Sequence, residues 1–447
     1  MIAKKIIIAL LMLFPLLTHN APYVYVVNQI NEVFVIDGAT NSILTTIQIP
    51  SLGLSYPTDL QGIASAPNGK TVCVCNQNAF GTTPFAITVS VIDATLAIPA
   101  LLVPIIEGFP VNSGPIDIAY TTDSNSVYIT SLDGNVYSVT GITSSQTVAT
   151  ATSAIPNPYA ITIGNTPNGE TAYIGTHGSG IYYMLTLNNI PHQIPFFDYS
   201  NVNIQDIAIA PNGLTVYAVG EDSLYNTALL YVIDTGSNMI TDTIDLPSGS
   251  TPTGIVVSPD GNYLYISDQG NQDVIVIPTN NLSNISTFSS PSPKALAITS
   301  DSKELYVAGE TSPRIVSSYL VPAGAPAASI TLVGANFQPF SITVIGSLSL
   351  LPPSSVSGCK TKNVFLLQTD YINNITWTAP TSGSPAAYAI YRDATLTQLV
   401  AIVPASEPLQ YYDHDRNPSV TYSYYIVSVD ANGNQSTANS VTVTQNC

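Results

Sequence analysis

The chain holds 447 residues, of which 45% are hydrophobic and only 9% charged, and its ten Lys and Arg against 28 Asp and Glu leave a net charge of −18. Soluble domains usually carry about 25% charged residues, so Ser, Thr, Asn and Gln must supply most of the surface polarity here. A field this negative repels phosphate backbones and anionic lipid surfaces, which argues against nucleic acid as a partner and leaves a cation, a basic protein or a neutral glycan.

The N-terminus has the layout of a secretory signal. Lys4 and Lys5 precede a 12-residue apolar run, Ile6 to Leu17, which is too short to span a bilayer. A cut after Ala21 defines residues 1–21 as the signal peptide, although His19 then occupies a position that favours a small residue. An uncleaved anchor is the competing reading. No second hydrophobic span follows, so the expected location is extracytoplasmic: periplasm, cell surface or medium.

From residue 22 a unit recurs every 41–55 residues or so. Its clearest copy runs from Pro252 to Ile277: an apolar strand, a Pro-Asp-Gly turn, a second strand around Tyr265, a polar turn and a third strand. A weaker fourth strand follows. Such a four-stranded antiparallel meander is the unit of a propeller blade. The second strand is marked by Tyr25, Cys73, Tyr128, Tyr173, Tyr217, Tyr265 and Tyr306, with Cys73 as the one substitution. Most copies have a turn before this strand, such as Pro67-Asn68-Gly69, Pro211-Asn212-Gly213 or Asp301-Ser302-Lys303. Asn-Gly and Asp-Gly supply the positive φ of tight hairpins.

The first copy lacks that turn and begins at its second strand, Y-V-Y-V-V-N. The last copy ends on a lone first strand, Pro339 to Ile345. Joining the two ends closes the ring and removes free edges, which predicts a seven-bladed β-propeller over 22–346. Strands that are apolar on both faces, such as L-L-Y-V-I-D, suit blades packed between two neighbours. An open solenoid is the alternative, weakened by the length and irregularity of the units.

The copies Y-V-Y-V-V-N-Q-I-N-E-V-F-V-I-D-G-A-T-N-S-I-L-T-T-I and L-Y-V-I-D-T-G-S-N-M-I-T-D-T-I-D-L-P resemble the YVTN family of propeller repeats, which includes surface-layer proteins, periplasmic proteins and relatives of enzymes. The resemblance speaks for the fold and leaves the function open.

Ser347 to Gly358 reads as a Pro/Ser linker. Residues 359–447 hold short runs, V-F-L-L-Q, N-I-T-W-T, Y-A-I-Y-R, L-V-A-I-V, Y-S-Y-Y-I-V-S-V and S-V-T-V-T, as in a β-sandwich. This module resembles a fibronectin type III domain. Trp377 matches its buried tryptophan, Tyr422 its corner tyrosine, and V-D-A-N-G-N-Q-S its last hairpin. The whole chain is thus expected to be all-β, a seven-bladed propeller followed by a fibronectin type III-like sandwich. Cys359 and Cys447 bracket the module and are expected to form a disulfide, a departure from the usual type III domain. Cys73 and Cys75 read as small buried hydrophobes.

Catalytic constellations are missing from the sequence. It has no G-x-S-x-G, H-E-x-x-H, phosphate loop or dinucleotide fingerprint, and no metal site or cofactor is expected. His177, His192 and His414 read as loop histidines without assigned partners. The propeller lacks Trp, against a quinone cofactor, and holds a single Arg, Arg314, where lactonase-like propellers gather acids, Arg and His at one channel mouth. Asp268, Asn271 and Asp273 read as a polar hairpin turn rather than a calcium loop. Sequons at Asn281, Asn284, Asn374 and Asn434 are expected by chance.

Two acids stand out. The residue opening the first strand is Gly62, Asp117, Asp206, Gly254, Ala295 or Ser341, while the copy near Ala160 aligns ambiguously. Small residues there imply a narrow axial channel with Asp117 and Asp206 on its wall. The reading preferred is that each Asp accepts backbone hydrogen bonds at the strand entry, because two carboxylates alone make a thin cation shell; a cation or polar-ligand site is the alternative. The function expected is non-enzymatic binding or scaffolding of a protein or glycan outside the cytoplasm. A channel lactonase or hydrolase, and a self-associating subunit of a surface array, are the alternatives.

Overall fold

The computed structural model describes residues 22–447 apart from 29–30, 51–57, 79–87, 97, 111–112, 145, 153–154, 196–201, 226, 310–313, 333–338, 346–352, 366–367, 380–384, 386, 406, 430–435 and 437. Residues 1–21, read from the sequence as a signal peptide, most of V-D-A-N-G-N-Q-S and the sequon at Asn434 lie outside the described residues. Among those described, every regular element is a strand, and no helix is long and apolar enough to cross a membrane. The chain divides into two units, one ending at Ser347 and the other running from Leu348 to Cys447.

The first unit holds seven four-stranded sheets. Blade 1 is built from both ends of the unit. Pro339–Ile345 forms its inner strand and pairs with Tyr23–Asn28, placing Tyr23 opposite Ile345 and Tyr25 opposite Thr343. Glu32–Asp37 and Ser42–Gln48 complete it. The inner strands of blades 2 to 7 are Thr58–Ser65, Pro115–Tyr120, Pro158–Thr166, Val202–Ile209, Pro252–Val257 and Pro293–Ile298. Each inner strand contacts that of the next blade, and the seventh contacts Pro339–Ile345, so the ring is closed.

The hydrophobic core is distributed over the seven seams between blades. Tyr25 and Val27 pack with Leu60, Val72 and Val74 across the seam to blade 2. Their neighbours Val24 and Val26 pack with Tyr306 and Ala308 across the seam to blade 7. Successive strand residues point to opposite faces, so a strand between two blades is buried on both and is built mostly of apolar residues. Y-V-Y-V-V-N is accordingly buried throughout, and its one polar member, Asn28, bonds Glu32. In blade 2, where Cys73 stands in place of the recurrent tyrosine, Tyr120 of blade 3 brings its hydroxyl to 2.9 Å from Cys73 Sγ and 3.0 Å from Thr71 Oγ1.

The turns follow their chemistry. Gly69, Gly213 and Gly261 have φ of 68°, 70° and 75°, and Ser124 and Ser302 take the same left-handed conformation. At Gly213 a Cβ would also lie 1.8 Å from the Asn165 carbonyl oxygen, so both backbone and space require glycine there.

The second unit has a three-stranded sheet, Ser355–Phe365, Gln368–Thr378 and Gln410–Asp413, and a four-stranded sheet ordered Leu399–Pro404, Ala387–Tyr391, Tyr422–Val429, Asn439–Val443. One cluster, including Ile375, Trp377, Tyr388, Ile390, Tyr424 and Val443, draws on both sheets. The linker read as 347–358 is shorter than expected. Ser355 already begins a strand, paired to Thr378, because its Ser residues alternate with Val356 and bond across the hairpin, as Ser355 Oγ does with Thr378 Oγ1 at 2.8 Å. V-F-L-L-Q is likewise not one strand: Phe365 ends one strand and Gln368, its partner, begins the next. Cys359 and Cys447 are disulfide-bonded.

Candidate functional site

All seven inner strands carry a register slip near their starts, for example between Pro158 and Ala160, Ile204 and Asp206, Pro252 and Gly254, and Pro293 and Ala295. The slips in blades 1, 2 and 3 occupy the equivalent place. A bulge sets two residues against one and re-aims a side chain. Here it turns Gln61, Tyr159, Gln205, Thr253 and Lys294 onto a central cavity of about 230 Å³. The residue after each bulge is the one that the sequence repeat singled out, with Ala160 in the seventh place; all seven line the cavity.

Asp117 and Asp206 therefore share one wall, and each joins two blades. Asp117 Oδ1 accepts the N–H of Ile118 at 2.8 Å and its Oδ2 that of Ile161, in blade 4, at 2.9 Å. Asp206 repeats the arrangement two blades on, with Ile207 and, in blade 6, Ile255, both at 2.8 Å. Hydroxyls also bridge seams: Thr130 Oγ1 donates to Tyr159 O at 2.6 Å across the seam that Asp117 braces, and Thr253 Oγ1 to Lys294 O at 2.8 Å between blades 6 and 7. Small residues are needed beside these braces. A Cβ on Gly254 would lie 3.2 Å from Lys294 O and 3.5 Å from Asp206 Oδ2.

Removal from water disfavours a carboxylate. Burial pushes the Asp117 carboxyl up to about 6, against the lowering effect of its two N–H donors. Burial and the charge of Asp117 push Asp206 up to about 7. Burial, with the two acids beside it, also raises the Tyr159 phenol.

The histidines have ring partners that sequence reasoning did not assign. His177 stacks on Tyr159 with centroids 4.0 Å apart. Burial holds its imidazole below the ordinary range, and its Nε2 is buried without a hydrogen-bond partner. His192 stacks on Tyr183 at 5.3 Å, and His414 Nδ1 lies 2.7 Å from Asp370 Oδ2. A loop position does not deprive a histidine of partners when a neighbouring strand presents an aromatic ring or a carboxylate. Neither His177 nor Arg314 is among the residues lining the central cavity. Asp268, Asn271 and Asp273 form a turn in which Asp268 Oδ1 accepts the N–H groups of Thr251 and Gly270 at 2.8 and 3.0 Å. Among the described residues no group of three or more His, Cys, Asp or Glu is placed to hold a metal ion.

The bulge residues were missed by reading one position per blade. A signal for them exists: Pro115-Ile116-Asp117, Pro158-Tyr159-Ala160, Pro252-Thr253-Gly254, Pro293-Lys294-Ala295 and Pro339-Phe340-Ser341 repeat a proline, a variable residue and a small or acidic one. The variable residue is the bulged one.

The Lactonase family, described as lactonase, 7-bladed β-propeller, matches residues 206–324. No curated protein matches the chain. Among solved structures, a functionally unknown protein from Desulfotomaculum acetoxidans is 18% identical with a TM-score of 0.54, over 72% of this chain and 98% of that one. Hydrazine synthase from Kuenenia stuttgartiensis is also 18% identical, with a TM-score of 0.52 over 66% of this chain and 92% of that one. At such identities the likeness extends to the fold alone, and with the closed ring of four-stranded sheets it makes this chain a β-propeller protein.

Proposed function

We propose that the chain is a non-enzymatic binding protein that acts outside the cytoplasm, with a YVTN-type propeller as its binding module and a fibronectin type III-like sandwich as a spacer or second contact. The observation that carries this reading is the state of the two cavity acids. All four carboxylate oxygens of Asp117 and Asp206 accept backbone N–H groups, one of each pair from its own strand and the other from the next blade, so these groups serve the ring before any substrate. The Arg and His expected of a lactonase mouth do not line the cavity with them. The sandwich reading is supported by the strand order of the two sheets, by buried Trp377, and by Tyr422, whose hydroxyl accepts the N–H of Asn417 at 3.3 Å. The disulfide and the low charge are compatible with export.

The test is capture by the immobilised protein from surface extracts of the source cell. A specific retained partner supports binding, and retention of none, with ordered multimers by light scattering, would replace it with a surface-array subunit. A lactonase is the second reading. It is favoured by the family match, which begins at Asp206, and by a carboxyl raised to about 7, near the ideal for general acid–base work at neutral pH. Turnover of simple γ- and δ-lactones, abolished in Asp206→Asn, would establish it over the binding reading.

A further inference from the structure

Blade 4 departs from its neighbours at its outer edge. Its fourth strand is only His192–Gln193, two residues, whereas the fourth strands of blades 5, 6 and 7 run seven, four and seven. Pro191 and Pro195 flank it, and proline has no N–H to extend a ladder. Pairing is confined to Tyr182 with Gln193 and Tyr183 with His192, and Ile194 donates its N–H to Ile181 O at 2.9 Å. Met184 and Leu185, at the far end of the third strand Ile181–Leu185, have no partner in the fourth. A groove of about 420 Å³ opens there, against the Gly236–Asn238 turn of blade 5. That size falls in the roughly 300–1,000 Å³ range of small-molecule sites.

The groove presents a defined set of uncharged polar groups. Asn168 commits its Nδ2 to the carbonyls of Thr235 and Gly236 at 2.8 and 3.1 Å, which leaves its Oδ1 as an acceptor. Asn238 commits its Oδ1 to the Tyr173 hydroxyl at 2.6 Å, which leaves its Nδ2 as a donor. Asn188 Oδ1 accepts the N–H of Ile190 at 3.2 Å, leaving a second Nδ2 donor. His192 is exposed and its ring lies nearly parallel to that of Tyr183, at 27°. No Asp, Glu, Lys or Arg lines the groove, on a chain whose net charge is −18.

We propose that this groove binds a neutral oligosaccharide. Vicinal sugar hydroxyls donate and accept at once, which matches two amide donors beside an amide acceptor. The C–H face of a pyranose suits the outer face of the His192–Tyr183 stack. An anionic glycan gains no cation here and meets the negative field of the protein. The inference rests on the binding reading above and names its ligand class and its place.

The test is saturation-transfer NMR and calorimetry of the purified protein with cellotetraose, chitotetraose, maltotetraose and mannotetraose. At least one should bind saturably. Asn188→Ala and His192→Ala, both at exposed side chains, should each weaken it tenfold or more, while Lys303→Ala on blade 7 leaves it unchanged. Saturable binding of none of the four, or undiminished binding by the two groove variants, overturns the proposal. Capture of a surface partner that survives Asn188→Ala/His192→Ala unchanged would overturn the groove and leave the binding reading standing. Lactone turnover with the sugar still bound in the groove would displace the non-enzymatic reading and spare the site.

Discussion

The Tyr173 hydroxyl donates to Asn238 Oδ1 at 2.6 Å across the seam between blades 4 and 5, and Asn238 holds a φ of 54° to receive it. The arrangement recurs from Tyr128 to Asn189 at 2.9 Å and from Tyr306 to Asn41 at 3.1 Å, with both asparagines again left-handed. The repeat tyrosine and the turn asparagine of the following blade are thus one device. The asparagine tolerates the conformation that the turn needs and offers the acceptor that a buried phenol needs.

Tyr173→Phe should lower stability by about 1–3 kcal/mol, since it leaves the largely buried Asn238 acceptor unpaired. Asn238→Gly keeps the left-handed turn and loses only the acceptor, so Asn238→Ala should be the more damaging of the two. Urea unfolding followed by far-UV circular dichroism checks both. Equal midpoints for Tyr173→Phe and the wild type would remove the seam bond from the account.

The cavity acids predict an unusual pH dependence. Their carboxyls are raised in the folded protein to about 6 and about 7, so the folded state holds protons that the unfolded state releases near pH 4. Their stabilising contribution is full below that pH and is lost as pH rises through 6 to 7. The urea midpoint of the wild type should therefore fall between pH 5 and pH 8 by more than that of Asp117→Asn/Asp206→Asn. The other carboxylates are common to both proteins, so the difference isolates the pair. Parallel pH profiles would refute the assignment.

Cys359 and Cys447 close a loop with a sequence separation of 88. Removing the bond as Cys359→Ser/Cys447→Ser should cost the second unit about 2–5 kcal/mol. Trp377 is the sole tryptophan of the chain and lies in the core of that unit, so its fluorescence follows this unit alone. An unchanged fluorescence midpoint in denaturant would contradict the prediction.

Cys73 and Cys75 are fully buried in the seam between blades 2 and 3. Burial raises both thiols, Cys73 to about 12, and only a thiolate reacts quickly. A thiol-specific disulfide reagent should label no cysteine in the native, non-reduced protein and two after denaturation. Rapid native labelling would place these residues outside the core.

Much of the architecture was legible because it depends on short-range chemistry. Seven copies of one strand pattern, with Gly, Asn and Ser at turns needing positive φ, set the blade count. The missing first turn and the spare strand at Pro339–Ile345 specified how the ring closes, since an open end would leave a strand edge bare. The acids on the cavity wall were legible for the same reason, as departures from a run of small residues at one repeat position. The bulges were harder to read. They are register offsets between paired strands, invisible when one strand is scanned alone, and they decide that Lys294, Tyr159 and Gln205 join the cavity. The groove of blade 4 depends on the same kind of information. Pro191 and Pro195 mark a short strand in the sequence, but that its shortness sets Asn168, Asn188 and Asn238 around one space follows only when blade 5 packs against blade 4. Residue identity supplied the groups; contact between segments distant in the chain decided which of them face one another.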